Sequence, residues 1–365
     1  LALLALVVLA AAAACSGSDG SGAAGPPAQL ATRSGFEETL ASLEGLSGDE
    51  RRAKLVELAG AEGGLSLYTS MSPSVVTPVI EAFEDAFGID VALYRATSET
   101  VLARLTQEAD AGFHGADVVE SSGLEMVNLA SEGILVPYDS PSLADVVPEA
   151  LADGYTASRF NTFVVSWNTD LVPAGEEPKS WEELADPKWK GRLAIEASDV
   201  DWYKTLWEYW VANGKSEAEA DALFEGIAAN SLVIEGHTVM AELMAAGEVD
   251  VGVNYLHIVE NVAAEGAPLA WQPAVQPVFP RANGVGLVRG AEHPAAALLF
   301  YDWLLSEGQE VLQAVNTTPV RKDLAGAAGL EQVPVDLESL AADQQGWSDR
   351  YDELLRLGQV VEEEG

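Results

Sequence analysis

Apolar positions along this chain switch repeatedly between the period of a strand and that of a helix, and the switches mark its elements. Leu65 to Thr69 predicts a strand, and Ser70 to Pro73 a loop. Ser74 to Phe87 predicts a helix, with Val75, Val76, Val79, Ile80, Phe83 and Phe87 on one stripe and Gly88 closing it. Ile89 to Tyr94 predicts a second strand. Ser98 then caps a helix carrying Val101, Leu102 and Leu105. Ala116 to Val119 predicts a third strand, followed by a polar Glu120-Ser121-Ser122-Gly123 loop and a helix to Glu132. This βαβαβ order implies a mostly parallel sheet covered by helices.

The alternation then begins again. Phe163 to Trp167, Leu193 to Ile195, Leu232 to Ile234 and Val249 to Val253 predict strands. Between and after them, Trp202 to Asn213, Ala218 to Asn230, a segment opened by Gly236-His237-Thr238, and Leu256 to Glu265 predict helices. Val275 to Phe279 and Gly284 to Val288 predict two further strands, and Pro294 to Leu305 a helix. The acidic remainder reads as helical and partly loose. Two successive α/β units joined more than once imply two lobes and a hinge.

Upstream of Leu65 the pattern differs. Phe36 to Ala61 has helical spacing broken at Gly45 and Gly48, and Ser16 to Ser34 reads as a flexible tether. Leu1 to Ala14 is wholly apolar and ends in five alanines before Cys15. That run is shorter than the ~20 residues of a membrane-spanning helix and suits the apolar core of a signal peptide. Small residues leading to one Cys resemble a lipobox, with cleavage before Cys15 and lipid on its thiol. Cys15 is the single cysteine, so an internal disulfide and a Cys-based zinc site are excluded.

The sequence carries 58 acidic and 19 basic residues, a formal charge of −39. Such a surface repels nucleic acid and anionic headgroups. The sole expected link to a membrane is therefore the lipid.

At this point several ordered segments resemble a known family. They are Leu67-Tyr68-Thr69-Ser70, Ala82 to Ile89, Gly115 to Val119, Gly133 to Tyr138, Ser180 to Gly191, Ala246 to Asp250 with Asn254-Tyr255, and His293 to Gln309. Their order and spacing are similar to those of extracellular solute-binding proteins of bacterial ABC transporters (family 1), the type that includes periplasmic ferric-ion-binding proteins. The resemblance implies an α/β, two-lobed periplasmic-binding-protein (type 2) fold with crossing hinge strands near Asn161 to Trp167 and Pro277 to Gly286. On that basis residues 65–160 plus 282–325 form one lobe and residues 161–281 the other. Residues 1–14 are the signal, 15–35 the lipid-anchored tether, 36–64 an N-terminal helical segment and 326–365 an acidic helical tail. A monomer that captures a small solute and passes it to permease subunits is the implied function, without enzymatic chemistry or cofactor.

Open α/β sheets bind ligands at the loops beyond strand C-termini. Those positions offer Ser70, Ser72, Ser98, Glu99, Glu120, Ser121 and Ser122 in the first unit, and Arg159 and Asn161 before the first crossing. The second unit offers Asp199, Asp201, Trp202, His237 and Thr238, and Arg281 and Asn283 sit near the return crossing. The serines and Asp199 suit capping as well as ligand contact. Trp202 suits the core as well as a ligand face. Arg159 suits either a bidentate grip on a carboxylate or phosphonate or a salt bridge. Tyr255 matches the tyrosine-bearing segment of the ferric-binding relatives. Their second adjacent tyrosine is here Leu256, which favours an organic solute over ferric iron; a ferric ion would draw on Tyr255 and Glu120. His237 and His257 do not show the spacing of a zinc pair. The sequence lacks a phosphate loop, an HExxH helix and a G-x-S-x-G elbow. A solute sensor and an enzyme on the same fold are the competing functions.

Overall fold

Strand β1 (Gly64–Thr69) lies between β2 (Asp90–Arg95) and β3 (Val118–Ser122), all parallel, as the βαβαβ order requires. Helices α3 (Pro73–Phe87) and α4 (Ser98–Asp110) make the crossovers, and α5 (Gly123–Ser131) follows β3. The computed structural model describes residues 35–324 and 329–360. Cys15, with the apolar run and tether expected beside it, lies outside the described residues.

Beyond β3 two long strands change the direction of the sheet. A short β4 (Leu135–Val136) and β5 (Leu151–Ala152) precede β6 (Tyr155–Asn168), whose 14 residues are all buried. At ~3.3 Å per residue β6 spans about 45 Å, enough to run through two cores. Its first half pairs with β11 (Phe279–Val288), and Phe163 to Trp167 pair with β9 (Val251–Tyr255). Strand β11 also lies antiparallel to β3. The second parallel group is β9, β7 (Leu193–Glu196) and β8 (Ser231–Ile234), with β13 (Gln359–Val360) on its edge. Strand order is therefore β2-β1-β3-β11-β6-β9-β7-β8-β13, with β4, β5, β10 (Leu269–Ala270) and β12 (Thr318–Pro319) as side branches.

Each half has its own core. In the first, Phe83 meets Phe300 and Trp303 edge to face under the sheet, with Leu67, Val79 and Leu298 in the same core. Helices α1 (Gly35–Leu43) and α2 (Gly48–Glu62) join this core through Phe36, Leu43, Leu55 and Ala59. Glu62, at the end of α2, accepts from the free N–H groups of Ala295 and Ala296 at the start of α10 (Pro294–Leu304), at 3.0 and 2.8 Å. In the second half Trp181, Trp202, Trp210, Phe224 and Phe279 form the core between the sheet and α6 (Val200–Ala212) and α7 (Glu217–Asn230). Met240, Met244 and Val259 fill the opposite face, from α8 (His237–Ala246) and α9 (Leu256–Ala264).

Four differences from the sequence pattern have physical reasons. The segment Glu120-Ser121-Ser122 continues β3 instead of forming a loop, because β11 pairs with it residue for residue. Residues 155–162 belong to β6, although Ser158, Arg159 and Asn161 break any apolar run; both faces are buried, so no alternation is written there. Residues 275–278 make no strand beyond one bridge at Val278, since Pro273 and Pro277 lack the N–H a ladder needs. The described residues of the C-terminal part, 306–324 and 329–360, pack onto both halves. After α11 (Gly308–Ala314), Val333 and Val335 donate to Val278 and Pro280 beside β11. Then α12 (Leu337–Ala342) lies on α5 in the first half, and α13 (Gln344–Leu355) lies on α6 and α7 in the second.

Candidate functional site

The two parallel groups point their C-terminal ends at one space. There β1, β2 and β3 deliver the starts of α3, α4 and α5, while β7, β8 and β9 deliver the starts of α6, α8 and α9. A cleft of about 760 Å³ lies between them. Of the residues expected from the sequence, Ser70, Ser72, Ser98, Glu99, Ser122, Arg159, Asn161, Asp201, His237, Thr238, Tyr255, Arg281 and Asn283 line it.

Glu120, Ser121, Asp199 and Trp202 do not. Glu120 is wholly buried in β3, where its carboxylate accepts from Thr69 Oγ1 at 2.8 Å and Ser158 Oγ at 3.1 Å. It sits behind Arg159, so the carboxylate considered beside Tyr255 for a ferric ion turns inward. Ser121 is buried in the same strand. Asp199 lies behind His237, whose Nε2 is 3.1 Å from its Oδ1. Trp202 packs against Trp181 and Phe224 in the core. The cap of α4 is Thr97, which accepts from Thr100; Ser98 instead bonds Ser122 Oγ at 2.8 Å.

Two guanidinium groups enter the cleft from the crossing strands. Arg159 Nη1 is 3.1 Å from Glu120 Oε1, but the approach is not that of a hydrogen bond, and Arg159 Nε and Nη1 are buried without acceptors among the described residues. Burial pulls the Arg159 pKa down and the Glu120 pKa up, and each charge opposes the shift of the other. Arg281 Nη1 donates to Asp201 Oδ2 at 3.1 Å, and its carbon lies 4.9 Å over the Tyr255 ring. Burial works against its charge, but Tyr255, Asp201 and Asp199 outweigh burial and raise its pKa. Among the described residues Arg281 Nε has no acceptor, Asn161 Oδ1 and Asn283 Oδ1 have no donor, and His257 Nδ1 has no partner. So many unpaired buried polar atoms around one space mark a site built for a polar guest.

The opposite wall is acidic. Glu196 ends β7, and its carboxylate accepts from Ser198 N, Ser198 Oγ and Gly236 N at 2.6, 2.7 and 3.0 Å. Burial, with repulsion from Glu196 and Asp201, drives the Asp199 pKa well up. Burial lowers His237 to about 4 and His257 to about 3. Both imidazoles are therefore neutral at pH 7. The Tyr255 ring packs 3.8 Å from that of His237 and parallel to that of His257.

Among the lining residues that sequence reasoning missed are Glu196, Glu125, His257 and a set from α13. Glu196 is the last strand residue rather than a loop residue. Glu125 sits in the first turn of α5, and His257 is the second residue of α9, after Leu256. Gln344, Ser348, Tyr351 and Asp352 come from α13, far along the chain, and carry no local signal of a binding role.

A cleft between two α/β halves joined by long antiparallel strands, with polar helix starts facing each other, defines a two-lobed ligand-binding protein. The profile of the family described as bacterial extracellular solute-binding protein matches residues 68–311, and the chain belongs to that family. It is 25% identical over 300 residues to the Fe(3+)-binding periplasmic protein of Serratia marcescens, covering 79% of this chain and 87% of that one. It is 26% identical over 322 residues to iron uptake protein A1 of a Synechocystis strain, covering 80% and 87%. Among solved structures it is similar to iron-bound HitA from Pseudomonas aeruginosa, with a TM-score of 0.66, 20% identity, and 79% and 99% of the two chains covered. It is also similar to the periplasmic binding protein AfuA from Actinobacillus pleuropneumoniae with fructose-6-phosphate bound, with a TM-score of 0.69, 21% identity, and 81% and 99% covered. The two-lobed fold and the extracytoplasmic solute-binding role in an ABC importer follow, and family and fold are those of binding proteins rather than enzymes.

Proposed function

We propose that this protein closes two lobes, residues 65–160 with 282–325 and residues 161–281, around a small organic solute bearing an oxyanion. In this reading a carboxylate, phosphate or phosphonate group of the solute bonds Arg159 and Arg281. Ser70, Ser72, Ser98, Asn161, Thr238 and Tyr255 contact the rest. The lobes swing on β6 and β11, and the liganded state favours closure. The monomer is tethered outside the cytoplasm through lipid on Cys15. The carrying observation is the set of guanidinium donors in the cleft, Arg159 Nε and Nη1 and Arg281 Nε, buried without acceptors. An oxyanion supplies the missing acceptors in planar, bidentate form.

The test is a thermal-shift and calorimetric panel of organic acids, phosphate esters, phosphonates, polyamines and ferric citrate. At a hundredfold excess over Kd one oxyanion class should add about 2.7 kcal/mol of stability. The variant Arg159→Met/Glu120→Gln removes both buried charges together and should fold as stably as the parent, yet lose that response. Arg159→Met alone leaves Glu120 buried and unpaired and should cost about 3–5 kcal/mol. Stabilisation by polyamines alone, or an unaltered oxyanion response in the double variant, overturns the assignment.

A further inference from the structure

Glu196, Asp199 and His237 form a second polar constellation in the wall of the second half. Each offers one ligand atom, and these atoms lie within 4.8 Å of one another, all buried. They come from three places the fold holds rigidly: the last residue of β7, the cap of α6 and the first residue of α8. We propose that they bind one divalent transition-metal ion, of the zinc or manganese type.

Four observations carry this. The His237 Nε2 and Asp199 Oδ1 atoms are 3.1 Å apart. Two ligands held ~2.1 Å from one ion at angles of about 90–110° are about 3.0–3.4 Å apart, so the spacing is that of neighbouring ligands. Asp199 is 1% and His237 9% exposed, and Asp199 Oδ2 and His237 Nδ1 have no partner among the described residues. A buried carboxylate oxygen without any donor is costly, and a cation removes that cost. The Glu196 carboxylate takes three donors, and a carboxylate has about four lone-pair directions, which leaves one for an ion. Finally, neither Glu196 nor Asp199 forms an ion pair with a Lys or Arg among the described residues, because Arg281, the cation beside them, bonds Asp201. One imidazole with two carboxylates is a borderline-hard donor set, suited to zinc, manganese or ferrous ions more than to magnesium.

This site does not depend on which solute fills the cleft. Its test uses zinc chloride on the whole protein in 0.5 M sodium chloride, where loose binding to surface carboxylates is screened. The chain has four histidines, at 114, 237, 257 and 293, so imidazole NMR resolves each one. One equivalent of Zn²⁺ should shift His237 while His114 and His293 stay in place. Calorimetry should show a single saturable site, weakened about tenfold or more in Asp199→Asn and abolished in His237→Gln. Magnesium at the same concentration should not compete. Shifts confined to His114 and His293, or an unchanged titration in His237→Gln with native circular dichroism, overturn the proposal. The oxyanion panel is run separately on metal-free protein, so failure of one reading leaves the other standing.

Discussion

Glu125 carries the cost of a cleft that mixes acids with cations. It lies in the first turn of α5, faces the cleft, and has one carboxylate oxygen buried without a partner. Burial pushes its pKa up to about 7, with Glu99 and Asp201 adding to the shift and Arg281 opposing it. A carboxyl whose folded pKa exceeds its unfolded value holds its proton more tightly when folded. Stability is then highest below the unfolded value and is lost as pH rises towards 7. Glu125→Gln mimics the protonated group, so it should raise stability at pH 8 and leave it nearly unchanged at pH 4. Urea unfolding at both pH values checks this, and an equal gain at both would assign the effect to packing. The same residue shows what a sequence does not disclose about a site. Ser70, Arg159, His237, Tyr255 and Arg281 were legible as cleft residues because they lie at or just beyond predicted strand ends, or beside the crossings that the family resemblance implies. Glu125 and Glu196 sit in the first turn of a helix and at the last residue of a strand, where a carboxylate is ordinary. Trp202 was ambiguous on paper because one aromatic stripe serves a core and a ligand equally well. The neighbours Trp181 and Phe224, which settle it, come from distant segments.

At the scale of elements, the packing of α5 joins the cleft to the C-terminal helices. Gly123 opens α5 where β3 turns away from β11. A Cβ there would lie 2.7 Å from the Ala282 carbonyl oxygen and overlap Leu337 Cδ1 of α12. The glycine is needed for close approach, not for its backbone angles. Gly123→Ala should therefore cost about 1–3 kcal/mol. It should also speed amide exchange in α12 and α13 more than in α3 or α10. Adding Leu337→Ala relieves the side-chain overlap but not the backbone one, so it should restore part of the protection at most. Full rescue would place the strain on Leu337 alone. Because α13 brings Ser348, Tyr351 and Asp352 to the cleft, solute affinity should fall along with protection. Tyr351 anchors this helix by donating to the Glu196 backbone oxygen at 2.6 Å. The βαβ units were readable from periodicity, because β1, β3, β7, β8 and β9 bury apolar residues and the crossover helices carry apolar stripes. The crossing strands and the C-terminal helices were not. A 14-residue strand buried on both faces has no period to read, and α13 docks through contacts set by the tertiary fold.

For the whole molecule the dominant long-range force is self-repulsion. The chain carries a net charge of −39, and its few cations are largely committed: Arg51 to Asp302, Arg159 to Glu120, Arg281 to Asp201, and Arg321 to Glu310 and Asp323. The excess acids are left to face one another across solvent. Unfolding moves these charges apart, so repulsion favours the unfolded chain. Salt shortens the reach of each charge from about 10 Å at 0.1 M to about 3 Å at 1 M. Buried pairs such as Arg159 with Glu120 are screened far less, so the attractive contacts persist while the repulsion fades. The unfolding midpoint should therefore rise steeply as sodium chloride goes from 0.05 M to about 0.5 M, and flatten beyond, once the screening length falls below the spacing of surface acids. Potassium chloride should give the same curve, since screening depends on charge and concentration alone. A continued linear rise towards molar salt, steeper in sulfate than in chloride, would instead indicate that exclusion of salt from apolar surface sets the stability. A flat response would mean that the acidic surface is already neutralised by bound cations, which atomic-emission analysis of the dialysed protein would detect directly.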